Sequence, residues 1–172
     1  MTGFDVILKD GRVAHLRPSG SADEAEFLQA FERMSNDARY MRFMRVVREP
    51  DRSRLHSVLA SFPEGGVGIA ATVPADDGID IVGSAVAVFA PDRVRCEFAV
   101  TVAAAYAGTG LATALMKALI EESARRGLKE MEGFVLTQNQ SMLRLARKLG
   151  FHIESEPGDP SVRVCRLSLA PP

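Results

Sequence analysis

Apolar and polar residues change their spacing several times along the chain, and each change predicts an element. Val6 to Lys9 and Val13 to Arg17 alternate on either side of Asp10-Gly11, the pattern of two strands joined by a tight hairpin. The spacing then lengthens to that of a helix. Ser21 and Glu24 read as a capping box, and Phe27, Ala30, Phe31 and Met34 follow as one apolar face. A second short helix is predicted from Asp37 to Phe43, and SFPEGG, Ser61 to Gly66, reads as a loop. Alternation resumes in Val67 to Val73, Ile79 to Phe89 and Val94 to Val102, parted by the turns PADDG and Pro91-Asp92.

Helical spacing returns after Gly110 and runs to about Arg126, where Gly127 stops it. Lys129 to Leu136 reads as a strand. Met142, Leu145, Ala146 and Leu149 then recur at helical positions, with Gly150 as the C-terminal cap. Phe151 to Ser155 and Val162 to Leu169 read as a last strand pair around EPGDP. Helices, antiparallel strands, helix, strand, helix and strands in that order predict an α+β fold with a mixed sheet. The 172 residues suit one domain, 1–172, large enough to bury its own core.

Charge narrows the classes of function. Twenty-one basic residues against 22 acidic ones give a net charge of −1, so no bulk attraction to nucleic acid or to an anionic membrane is expected. Cys96 and Cys165 fall in strand-like runs at no metal-ligand spacing, and read as buried thiols in a reducing cell. No metal site is predicted. The N-terminus carries no basic-then-apolar signal pattern, and the longest apolar run, Ile81 to Ala90, is too short to span a bilayer. These features predict a soluble, cytoplasmic protein. His15, His56 and His152 are scattered and receive no catalytic role.

The candidate chemistry lies around AYAGTGLATALMKAL, Ala105 to Leu119. Gly108 and Gly110 flank Thr109. Thr113 stands where a dinucleotide fingerprint needs a third Gly or Ala, and Leu111 stands where a P-loop needs Lys. A strand, a loop and a glycine-rich helix start remain. That arrangement either aims backbone N–H groups at a pyrophosphate or is a tight corner needing positive φ. In the preceding strand, Val94, Cys96, Phe98, Val100 and Val102 face one side, while Arg93, Arg95, Glu97, Ala99 and Thr101 face the other. Glu97 is either a half-buried general base or a solvated, ion-paired carboxylate. Asn139 caps the later helix, bonds an amide-bearing ligand, or does both. Arginines 39, 42, 45, 48, 52 and 54, bordered by Asp37, Glu49 and Asp51, read as a solvated face with Tyr40, Phe43 and Val46 packed inward, or as the lining of an acceptor site.

The run from Glu97 to Phe151, EFAVTV through ARKLGF, resembles the acetyl-CoA core of the GNAT superfamily of N-acetyltransferases. That superfamily's Gln/Arg-x-x-Gly-x-Gly/Ala loop falls on Ala107, Gly108, Thr109, Gly110, Leu111 and Ala112. With LRP at 16–18 and ARYMRF at 38–43, the resemblance covers nearly the whole chain, and it is nearest to the GNAT domains of bacterial protein-lysine acetyltransferases. In those proteins the domain is often joined to acyl-CoA synthetase-like or nucleotide-binding domains; this sequence reads as the GNAT domain alone.

The resemblance implies a mostly antiparallel mixed sheet flanked by helices and splayed between its two central strands. It implies an acetyl-CoA-dependent N-acetyltransferase acting directly on a primary amine, with a protein lysine as acceptor. Glu97 would be the catalytic base. Val100, Thr101 and Val102 would pair with pantetheine, the N–H groups of residues 108–112 would hold the pyrophosphate, and Asn139 and Met142 would contact the pantetheine arm. A strand N–H near Val100 would polarise the acetyl carbonyl. Two positions depart from the pattern: Ala107 replaces the usual Gln or Arg, and Ala146 falls where many members carry a tyrosine that protonates the thiolate. A small-amine or amino-acid acetyltransferase and a weakly catalytic acyl-CoA sensor are the alternatives. Monomer or homodimer is the expected state, with acetyl-CoA the only cosubstrate.

Overall fold

A computed structural model describes residues 1–170. The predicted hairpin forms as β1 (Phe4–Ile7) and β2 (Val13–Pro18), with Ile7 opposite Val13. Its loop is longer than the two residues expected, because the Lys9 N–H turns away to bond Thr109 O at 3.0 Å. Next come α1 (Glu24–Arg33), α2 (Asn36–Phe43) and α3 (Arg52–Ser61). The expected Ser21/Glu24 capping box does not form. A 3₁₀ turn over Ser21–Asp23 precedes α1, and Asp23 accepts the Gly20 N–H at 3.0 Å while pairing with Arg17 at 2.8 Å. The buried carboxylate wins that place because it meets a cation as well as a backbone donor.

α3 was not foreseen. Only Leu59 of it is fully buried, so its apolar signal is faint, although Asp51 caps it by accepting the Arg54 N–H at 3.0 Å. The inward packing expected of Tyr40 and Val46 also fails: they are 37% and 74% exposed. α2 ends at Met44 in the left-handed conformation (φ 59°), which breaks the helical register and turns Val47 inward instead of Val46.

The remaining strands are β3 (Gly66–Ala75), β4 (Gly78–Phe89), β5 (Arg95–Val102), β6 (Glu130–Leu136), β7 (His152–Glu156) and β8 (Asp159–Ser168). Helix α4 (Leu111–Arg125) joins β5 to β6, and α5 (Gln140–Lys148) precedes β7. One eight-stranded sheet results, in the order β1-β2-β3-β4-β5-β6-β8-β7. Every neighbouring pair is antiparallel except β5 and β6. Leu111, Leu115, Met116 and Leu119 of α4 are fully buried, and the small Ala71, Ala85 and Ala87 of β3 and β4 belong to the same core, where small side chains leave room for a closely packed helix. Among the described residues, no helix is long and apolar enough to cross a membrane.

The parallel pair is short. Cα pairing joins Arg95, Cys96 and Glu97 to Glu130, Met131 and Glu132, then stops. The ring of Phe98 fills the next position: a β-carbon on Gly133 would overlap it. Beyond Phe98 the strands part, which is the splay the family resemblance implied.

Candidate active site

Hydrogen-bond parity explains what the splay exposes. Ala90 N–H donates to Arg95 O and Ala103 N–H to Val82 O, both at 2.8 Å, so the odd-numbered residues of β5 bond to β4. Even-numbered residues therefore turn their N–H and C=O groups toward β6. Val94 O takes the Lys129 N–H this way at 2.7 Å. Past Phe98 no partner strand remains, so the main-chain groups of Val100 and Val102 face the opening. Alternation also puts Glu97 on the face opposite Cys96, as predicted, and Glu97 is solvent-accessible. Val94, expected on one face with Cys96 and Phe98, is 45% exposed while those two are buried, because it precedes the strand.

A cavity of about 460 Å³ occupies the splay. Glu97, Val100, Thr101, Val102, Ala112, Asn139 and Met142, all expected site residues, line it together. Among the described lining residues only Glu97 and Arg42 carry ionisable side chains. Asn139 caps α5 by accepting the Met142 N–H on Oδ1 at 3.3 Å, which leaves its Nδ2 donors unspent. A larger cavity of about 860 Å³ contains none of the expected residues, and its charges already pair, Arg17 with Asp23 and Arg125 with Glu122.

Ala107, Gly108, Thr109, Gly110 and Leu111 do not line the cavity; they form the loop that leads into α4, its N-cap at Gly110 and its first residue. Leu111 is wholly buried, and Thr109 is buried with its hydroxyl donating to Tyr106 O at 2.6 Å. Their side chains thus serve the core, and only their main chain is left to meet a ligand. Gly108 and Gly110 have φ of 72° and 88°, a region in which a side chain is strained. Among the described residues, none of the six N–H groups from Gly108 to Thr113 has an intramolecular acceptor, whereas the Ala114 N–H bonds Gly110 O at 3.1 Å. Six unspent donors thus stand at the positive end of a 15-residue helix, an arrangement that suits an anion.

Comparison with known proteins gives this geometry its relatives. The family profile described as the Acetyltransferase (GNAT) domain matches residues 14–152. The chain belongs to the GNAT acetyltransferases. An acetyltransferase of Pseudomonas aeruginosa is 30% identical over 162 residues, covering 94% of this chain and 87% of the relative. The GNAT domain of S. lividans PAT shares the fold with a TM-score of 0.85 at 22% identity, each chain covered to 96%. yncA from Salmonella typhimurium, solved with its cofactor acetyl-CoA, matches with a TM-score of 0.68 at 23% identity, over 92% of this chain and 95% of its own.

Around this cavity, sequence reasoning missed part of the lining. Met34, Ala38, Met41 and Met44 close the cavity from α2 and the residues just before and after it. Four of the chain's seven methionines, including Met142, gather here, a compositional signal for an adaptable wall. Ala146, placed by resemblance at the thiolate-protonating position, is wholly buried and does not reach the cavity; Ser141 and Leu145 of α5 do. Leu143, absent from the predicted apolar face, is buried beside it at 2% exposure. Burial, reinforced by Arg54, pushes the Arg42 guanidinium below its usual pKa, and the Glu97 carboxylate opposes that shift.

Proposed function

We propose that this protein is an acetyl-CoA-dependent N-acetyltransferase that passes the acetyl group directly to a primary amine, with a protein lysine as acceptor. The observation that carries the reading is the shared cavity: Glu97 and the unpaired main chain of Val100 open onto one space, and Ala112 links it to the cradle. The residues fit acetyl-CoA at each point. The N–H groups of 108–113 match a pyrophosphate, the free edge of β5 matches the amides of pantetheine, and Asn139 Nδ2 adds a donor. Acetyl-CoA supplies the activated thioester.

Glu97 takes the proton of the incoming ammonium, directly or through water, which is required because a lysine with a pKa of about 10.4 is almost entirely protonated at neutral pH. The Val100 N–H donates to the acetyl carbonyl oxygen and favours the charge that develops there as the amine attacks. As the tetrahedral adduct collapses, the attacking nitrogen gives up its second proton to water, the carbon–sulfur bond breaks, and the thiolate leaves as such or is protonated by the solvent. A reducing cytoplasm suits the two buried thiols.

The test is acetyl transfer from acetyl-CoA to a panel of proteins, peptides and small amines, with mass spectrometry locating the product. Acetyl on a lysine ε-amine is expected. Transfer confined to free small amines overturns the protein acceptor, and failure to bind acetyl-CoA overturns the reading altogether.

A further inference from the structure

The basic segment flanking the cavity has an uneven use of charge. Arg39 belongs to the fold: it donates to Phe31 O at 2.9 Å, Glu32 O at 3.3 Å and Arg48 O at 3.4 Å, and its guanidinium lies 4.2 Å from the centre of the Phe31 ring. Arg42, Arg45, Arg48, Arg52 and Arg54 differ. Among the described residues, none of these five has a carboxylate oxygen within 4.0 Å of its side-chain nitrogens. The acids of the segment do not neutralise them, and Asp51 is already engaged as the α3 cap.

Arg42 is the telling member. It is half-buried, lines the cavity beside Glu97, and makes no hydrogen bond among the described residues. The Arg42 guanidinium lies 4.8 Å from the centre of the Phe43 ring, but a ring face supplies no hydrogen-bond acceptor, so its N–H donors stay uncompensated away from water, and an anion brought by a ligand removes that cost. Glu97, in the same cavity, calls for a cation. The two are not joined to each other, so each is left to meet the acceptor. A molecule that carries an ammonium and a carboxylate close together satisfies both.

We propose that this site selects lysines flanked by an Asp or Glu side chain, with Arg42 as the specificity-determining residue. The assignment rests on the lysine acetyltransferase reading above. A peptide fits better than a free amino acid because the uncompensated charge does not end at the cavity. Met44 lines the cavity, and Arg45, Arg48, Arg52 and Arg54, all exposed, continue from it along the surface toward and into α3. Such a tract meets further acidic residues of an extended chain.

Peptides with one lysine flanked by Glu, Gln or Arg test the assignment, together with free lysine and other free amino acids. Steady-state kinetics are measured on the wild-type protein, Arg42→Gln and Arg42→Glu, with acetyl-CoA affinity by calorimetry as the control for folding. The wild type is expected to favour the Glu-flanked peptide over the Gln-flanked one about tenfold or more in kcat/KM, mainly through KM, as a charge-assisted hydrogen bond allows. Arg42→Gln should lose the preference, and Arg42→Glu should shift it toward the Arg-flanked peptide. Equal use of all three peptides by the wild type, or a preference that persists in Arg42→Gln, overturns the proposal. Acetylation of free amino acids alone overturns the peptide acceptor. No turnover on any amine, with acetyl-CoA still bound, overturns the transferase reading beneath it.

Discussion

Glu97 reaches the cavity from a strand whose neighbouring residues point into the core, so its carboxylate is fixed in direction while its surroundings stay wet. Glu97→Gln keeps the shape and removes the base. Turnover at neutral pH is expected to fall about 100-fold or more, with acetyl-CoA affinity unchanged in calorimetry. Equal turnover across the pH range would take Glu97 out of the mechanism. Its position was legible because alternation along a strand is local. The nearness of Arg42 was not, since it comes from a helix packed against that strand. The thiols behave oppositely. Burial pushes Cys96 and Cys165 up to about 11, with the Ser123 hydroxyl offsetting part of the shift at Cys96 and Arg147 part at Cys165. The raised folded-state values hold both as thiols: their contribution is intact below the ordinary value of 9.0 and is lost as the pH rises through about 11. Ellman's reagent should therefore leave both unmodified at pH 8 until denaturant is added; rapid labelling of the native protein would contradict this burial.

At the scale of elements, the start of α4 and the parting of β5 from β6 make the site. Gly110→Val puts a branched side chain at a φ of 88°, at a strain of about 1–3 kcal/mol. It also covers the N–H groups of the cradle. Acetyl-CoA affinity should drop at least tenfold in calorimetry, and equal affinity in a folded variant would sink the cradle. Gly133→Ala drives a methyl into the Phe98 ring. Overpacking of this kind costs about 1–3 kcal/mol, so Tm should fall measurably; an unchanged Tm would show that Phe98 is not wedged there. Strong periodicity made α4, α5 and the strands readable. α3 escaped because one buried leucine leaves almost no apolar face, and the register of α2 was lost where Met44 turns left-handed.

Across the whole molecule, the N-terminal hairpin, the helical segment and the glycine loop are tied by a few polar links. The Lys9 N–H bonds Thr109 O, and Arg12 donates to Ala105 O at 2.6 Å with its guanidinium 3.9 Å from the Tyr106 ring centre. Arg17 and Asp23 tie β2 to the entry of α1. Burial raises the Asp23 carboxyl, but Arg17 and the Gly20 N–H outweigh it and hold the group below its ordinary 3.8. A lowered folded-state value stabilises above 3.8 and loses that effect as the pH falls through the folded value. Asp23→Asn should thus lower Tm at pH 7, with the gap to wild type narrowing in acid. A gap constant with pH would assign Asp23 no role in acid stability.

By itself the sequence determined the order of elements apart from α3, the side of β5 on which Glu97 stands, the glycine-rich entry to α4 and the Asn139 cap. Each depends on period, turn chemistry or capping, which act over a few residues. Only the tertiary structure decided that β5 and β6 part after three paired residues, that six N–H groups at α4 lack acceptors, and that Arg42 shares a cavity with Glu97. Those outcomes depend on which distant segments exclude or reach one another: the Phe98 ring against Gly133, the hairpin against the glycine loop, and α2 against β5. A contact between segments far apart in the chain is set by packing, and packing is not written in any local pattern.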